Sequence, residues 1–355
     1  MARALALGAS SSPTNPVLDF WFVAAGALAD LSALSWQVFD LSTGSAVSVA
    51  TGTINVAGAE HLGTGHYVAT WTGAGNVGRH RIVWTATPVG GSAKAYQYDF
   101  DLLAAGLSLK GPAYCLLADL RDEGFAATGV GGVSDVRALG LIRKVSTFVE
   151  RWTRRFFEPR YRTITLDGAR GPSQFLQDPI IALASASIDG DLVDPTCYRV
   201  FNRHVAEGLT DPDDRENPRV TFSRITRVLS EVNTYDRPFY NRQVWWPGPR
   251  NVQLAGLFGY TDPDPDLPAG STPEMIRHVT MLLFAREALP LADGDGRTDA
   301  QNAFRVDSIR TRDQSVTYGA DRMQLTAKGA NEFTGDPAID DIIAMYVAPP
   351  FIGSP

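Results

Sequence analysis

Between Val17 and Leu103 apolar side chains recur at every second position, the spacing of strands with one buried face. Leu34, Trp36 and Val38 alternate with Ser35 and Gln37, and Tyr67, Ala69 and Trp71 with Val68 and Thr70. His80, Ile82 and Trp84 alternate with Arg79 and Arg81, and Tyr96, Tyr98 and Phe100 with Gln97 and Asp99. The runs are short, aromatic and separated by Gly, Ser, Thr and Asn, which predicts an antiparallel sandwich whose inner faces share one core.

At SLKGPAYC, residues 108–115, the period changes. Leu116 to Glu123 predicts a short amphipathic helix stopped by Gly124. Ser134 or Asp135 then caps a helix of about six turns, whose stripe is Leu139, Ile142, Val145, Val149, Trp152 and Phe156 and whose stop is Pro159. Strands return in YRTITLDG and PIIALASASIDGDLVD, where Asp189-Gly190 signals a hairpin turn. Further strands are expected at 198–202, 219–222 and 251–258. Thr272, Pro273 and Glu274 open another helix, with Met275, Ile276, Val279, Leu282 and Leu283 as its apolar face. Asp336 and Pro337 repeat the device before a last helix that ends at Pro349-Pro350.

The expectation is therefore an α+β multidomain chain: a β-sandwich over 1–105, a helical core from 106–160 and 270–355, and a β-rich insertion over 161–269. The length of 355 residues and an apolar content of 44% suit more than one packed core. The formal charge of -7 disfavours non-specific nucleic-acid binding, which needs local positive charge. Cys115 and Cys197 lie far apart beside apolar residues and read as reduced thiols, not a disulfide framework. MARALALGASSSPTNP is too short and too interrupted for a membrane span or secretory signal, and the chain is expected to be soluble, with no membrane partner.

Catalytic motifs fail on context. Gly73, Gly75 and Gly78 match G-x-G-x-x-G, but the strand-like RHRIVWTA follows where a dinucleotide site needs a helix. Asp293, Asp295 and Asp299 resemble a calcium loop, yet Arg297 stands at a ligand position and Phe304 where the bidentate glutamate belongs. Asp262, Asp264 and Asp266 alternate with prolines and read as a stiff acidic connector. His61, His66, His80, His204 and His278 lack ligand spacing. No catalytic residue, cofactor or metal is assigned, and the chain is not expected to be an enzyme.

One stretch stands out. TFVERWTRRFFEPRYR, residues 147–162, holds five arginines and five aromatic side chains. Trp152 and Phe156 fall on the buried stripe, and the arginines near the helix C-terminus offset its carbonyl dipole. Arginine and aromatic side chains are also enriched at subunit contacts, so Arg154, Arg155, Phe157, Arg160 and Tyr161 are expected at an interface. Ile339, Ile342, Ile343 and Tyr346, with Phe351 and Ile352 beyond the last helix, form a second candidate docking element.

The phrase GHYVATWTGAGNVGRHRIVWTA resembles the paired strands of immunoglobulin-like domains. From about residue 112 to 350 the order of parts resembles the head-tail connector (adaptor, or head completion) proteins of tailed bacteriophages. The phrases that carry this are AYCLLADLRDEG, LIRKVSTFVERWTRRFFEPRYRTITLDG, GPRNVQLAGLFGYTD, STPEMIRHVTMLLFARE and GDPAIDDIIAMYVAPP. The resemblance implies a structural virion protein of the neck, assembled in the bacterial host cytoplasm as a homo-oligomeric, dodecameric ring. Such a ring sits between the portal protein and a tail-side neck or tail terminator protein, and DNA passes through its channel without sequence-specific binding. It also implies portal docking by the C-terminal segment. The large insertion and the N-terminal sandwich depart from the smallest members. The alternative is a baseplate or neck module that binds carbohydrate or another surface through Trp36, Trp71 and Trp84; a hydrolase with an immunoglobulin-like accessory domain is opposed by the missing nucleophile and metal motifs.

Overall fold

The computed structural model describes residues 3–24, 26–109, 111–123, 133–176, 178–202, 204, 224–227, 244–288, 308–310, 315–317, 334 and 336–348. It is a mixed α+β, strand-rich chain with several sheets. The largest N-terminal sheet runs Ala4–Ala6, Lys94–Leu103, Gly78–Pro88, Leu31–Asp40 and Val47–Ile54, antiparallel except for the first pair. Asp19–Trp21, His66–Val68 and His61–Gly63 form a short three-stranded layer. Phe20 of that layer stacks on Trp84 of the long sheet with ring centroids 5.3 Å apart, so one aromatic core serves both. Trp36 has room because its cross-strand partner is Gly52, where a Cβ would lie 2.5 Å from the indole.

The immunoglobulin-like sandwich expected from the sequence is not established. Residues 4–28 are divided into five short strands that join four different sheets, so the second layer is small and the first ends in a parallel pair. Ala27–Leu28 and Val23–Ala24 extend the sheet formed by Arg160–Leu166, Val252–Phe258 and Ile180–Ile188. Leu28 there packs with Ile181, Ala182, Leu257 and Ala269. Asp189 (φ 53°) and Gly190 (φ 89°) close the hairpin between Ile180–Ile188 and Asp191–Leu192, a turn needing two positive φ angles. TDPDPDLP is not an open connector: Asp262–Asp264 pairs with Leu267–Ser271, and the peptide N–H of Gln97 donates to Asp266 O (3.1 Å). Arg224–Arg227, between Ser173–Phe175 and Tyr198–Phe201, completes a three-stranded sheet. The strand expected at 219–222 lies outside the described residues.

Four α-helices lie among the described residues: α1 (Leu117–Asp122), α2 (Asp135–Thr153), α3 (Glu274–Ala288) and α4 (Pro337–Tyr346). Ser134 caps α2 by accepting from Arg137 N, and Asp336 caps α4 by accepting from Ala338 N (3.0 Å). The Thr272 hydroxyl donates to Phe157 O (2.9 Å), tying α3's entry to the exit of α2. Leu139 and Ile142 of α2 meet Met281 and Phe284 of α3, and Val145 and Val149 meet Ile276, Val279, Ile339 and Ile343. The peptide N–H of Ala348 donates to Thr153 O (2.7 Å), joining the end of α4 to the end of α2.

Candidate functional surface

The aromatic and arginine stretch over residues 147–162 is a joint. Helix α2 stops at Thr153 because Arg154 adopts the left-handed conformation (φ 55°), well before Pro159. That turn sends Arg155, Phe156 and Phe157 inward. The Arg155 guanidinium lies 4.6 Å over the Tyr260 ring, a cation on an aromatic face, and is only 5% exposed. Phe157 is fully buried, edge-on to Tyr114, Tyr260 and Tyr346, and its N–H donates to the Tyr114 hydroxyl (3.1 Å). Of the five residues expected at a subunit contact, Arg155 and Phe157 are thus occupied inside the chain, while Arg154 is exposed and Tyr161 half exposed.

Arg160 lies between two carboxylates. It donates to Glu158 (2.8 Å) and to Glu150, and Glu150 also accepts from the Tyr114 hydroxyl (2.5 Å). Burial raises the Glu158 carboxyl above its ordinary value, against the pull of Arg160. Next along the chain Tyr161 stacks on Trp21 with planes 8° apart, and Trp21 stacks on His66. His66 and Arg3 both engage Asp19, which burial pushes up but Arg3 and His66 hold below the usual carboxylate range. This seam fastens the N-terminal strands to the rest of the chain, beside the pairing of Ala27–Leu28 with Ile180–Ile188 and the bond from Gln97 to Asp266.

Another seam lies at α1. Asp101, on the outer face of the long sheet, accepts from the N–H groups of Leu117 (2.6 Å) and Ala118 (3.1 Å), while Asp119 lies between Arg79 (2.5 Å) and Arg277 (2.8 Å). Asp119 also accepts from Leu116 N (2.9 Å). Burial pushes the Asp101 carboxyl up to about 7, although both amide donors favour its charged form. The same burial raises the Cys115 thiol; Cys115 and Cys197 are free, with Cys115 buried and Cys197 half-buried.

The stripe of α4 faces inward. Ile339, Ile343 and Tyr346 are buried with α2 and α3, and Ile342 packs beside them, so none of the four presents an open apolar surface. Phe351 and Ile352 lie outside the described residues. Trp36, Trp71 and Trp84 are core residues, at most 8% exposed, and supply no open platform for a sugar ring. His61 pairs with Asp30, His204 hydrogen-bonds Thr261, and His80 is enclosed beside Trp71 and Phe100. Among the described residues no group of three His, Cys, Asp or Glu could hold a metal ion, and no helix is long and apolar enough to cross a membrane. Asp293, Asp295 and Asp299 lie outside them. Gly73, Gly75 and Gly78 lead into the strand that begins at Gly78, not into a helix.

No family model and no curated protein matches this chain. Among solved structures, a chain of the neck of an empty GTA particle, computed with C6 symmetry, is similar at 17% identity. The match covers 54% of this chain and 86% of that one, with a TM-score of 0.33, a likeness too remote to carry a function.

Proposed function

We propose that the chain is a structural virion protein: a ring-forming head-tail adaptor that joins a portal to the tail and surrounds part of the DNA path. The reading rests on the resemblance of residues 112–350 to head-tail connector proteins. One observation supports it: α2, α3 and α4, widely separated in sequence, converge on one core, and the β-rich insertion leaves α2 and returns to α3 at a single joint. A small helical unit is what the resemblance implies, and the insertion is where this chain departs from the smallest members. Arg154, Arg160 and Tyr161 are assigned to the subunit contact, with Arg155 and Phe157 shaping it from beneath. Portal docking falls to the segment after Ala348, which carries Phe351 and Ile352, with the buried α4 stripe as its anchor. The partners are further copies of the chain, the portal and a tail-side neck or terminator protein. Electron microscopy of the purified chain, alone and mixed with portal-bearing heads, tests the reading. Closed rings seated at the portal vertex are expected; single particles that never occupy that vertex would refute it.

A further inference from the structure

The side of α2 turned away from the core is unusual for an acidic protein. Arg137, Arg143, Lys144 and Arg151 are exposed along it, with Arg154 just past its end, and no acid lies between them on that side. At 3.6 residues per turn, positions 137, 140, 144, 147, 148 and 151 share a band of about 100°, and Arg143 stands about 40° beyond its edge, beside Gly111. The acids of the helix lie on its flanks and are already engaged, Asp135 by Arg121 and Glu150 by Arg160 and Tyr114. Lys144 reaches Glu287, but Arg137, Arg143, Arg151 and Arg154 make no ion pair among the described residues. Four unneutralised guanidiniums along one helix side repel one another, so a partner that brings carboxylates there gains both attraction and relief.

The geometry points to a second copy of this chain as that partner, with its acidic hairpin 262–271 seated against the basic side of α2. This deepens the ring reading and rests on it. Asp264 and Asp266 lie in that hairpin, which packs on Val23–Ala24 and on strand Lys94–Leu103, where Gln97 Nε2 donates to Asp266 (3.2 Å), whereas α2 packs on α3 and α4. The two surfaces belong to different elements, so their pairing is head-to-tail, the type that closes a ring when its rotation closes. Two facts favour protein over duplex DNA. Val136 (67% exposed) and Phe148 (40%) share or border the same side, and apolar groups gain from burial against protein, not against phosphates. Moreover, a cation-rich wall facing the DNA path would hold phosphates by counterion release and impede passage.

The test is sedimentation of the full chain over a range of concentration and salt, with a DNA-binding assay beside it. Arg143→Glu with Arg151→Glu should abolish assembly without moving the melting temperature, because both residues are exposed. Adding Asp264→Lys and Asp266→Lys to that variant should restore assembly, a rescue that simple loss of charge cannot produce. Assembly of the variant carrying only Arg143→Glu and Arg151→Glu at the wild-type concentration would overturn this assignment while leaving the ring reading intact. A wild-type chain that stays monomeric on its own and on portal-bearing heads would overturn the ring reading, and this assignment with it. Duplex binding lost in the arginine variant, with assembly unchanged, would overturn it in favour of nucleic acid.

Discussion

The aromatic core of the N-terminal sheets and the joint at Glu150, Glu158 and Arg160 hold the chain together by opposite means. In the first, Phe20, Trp36, Tyr67, Trp84 and Phe100 pack against one another, and their stability comes from apolar area removed from water. In the second, one guanidinium serves two carboxylates, and Glu158 is almost wholly buried. A dry core loses stability in proportion to the volume deleted. A charged joint loses it according to what is left unpaired, because desolvation has already offset most of the attraction between its charges. The joint therefore sets where segments meet more than how tightly they hold.

The largest change should come from the dry side. Trp84→Ala removes a fully buried ring that stacks on Phe20, and should cost about 3–5 kcal/mol in chemical denaturation. A loss below about 1 kcal/mol would mean that the core collapses around the void. At the joint, Arg160→Met leaves Glu150 and Glu158 facing each other. Because Arg160 is 31% exposed, the cost should be about 2 kcal/mol, less than for a fully buried pair. Adding Glu158→Gln to that variant should recover most of it. If the double variant is as unstable as the single one, packing of Arg160 over Phe156 matters more than charge.

The α1 seam sharpens the contrast through pH. The folded pKa of Asp101, about 7, lies above its unfolded value near 3.8, so the folded chain binds the extra proton between those limits. The stability associated with protonated Asp101 is full below the unfolded value and is lost as pH rises to about 7. Asp101→Asn should flatten the dependence of the denaturation midpoint on pH across that window, and an unchanged slope would refute the assignment. The smallest effect is expected at Tyr161. It is half exposed, so Tyr161→Ala should cost only about 0.5–1 kcal/mol for the stack on Trp21. Near-ultraviolet dichroism should register the loss of that stack.

The strands of the N-terminal region were legible because their contacts are local and periodic. Leu34, Trp36, Val38, Ile82 and Trp84 face one core, as the alternation requires. The alternation fails at Asp101 and Leu103, buried on the side expected to face solvent, because α1 covers the outer face there. The α2 stripe and the Ser134 and Asp336 caps were equally readable, while the end of α2 was not. Pro159 is a visible stop, yet an arginine in a left-handed turn five residues earlier leaves no mark in composition. The seams were hidden for a different reason. Arg79 and Asp119 are 40 residues apart and Arg277 and Asp119 are 158 apart, and no spacing rule joins such partners. The arginine and aromatic content of residues 147–162 stands out in the sequence, yet half of those side chains are buried or half-buried, since Arg and aromatic residues suit a buried joint as well as a subunit contact.

The hydrogen bond from Ala348 to Thr153 has a mechanical meaning. A pull on the chain beyond Ala348 would enter the fold at the last turn of α2, one residue from the left-handed Arg154 and a few from the strand that begins at Arg160. Load applied there would be shared at once between the helical bundle and the strand insertion. The chain at Ala348 is therefore coupled to the joint between α2 and the strand insertion, and a partner gripping it would hold both by one handle.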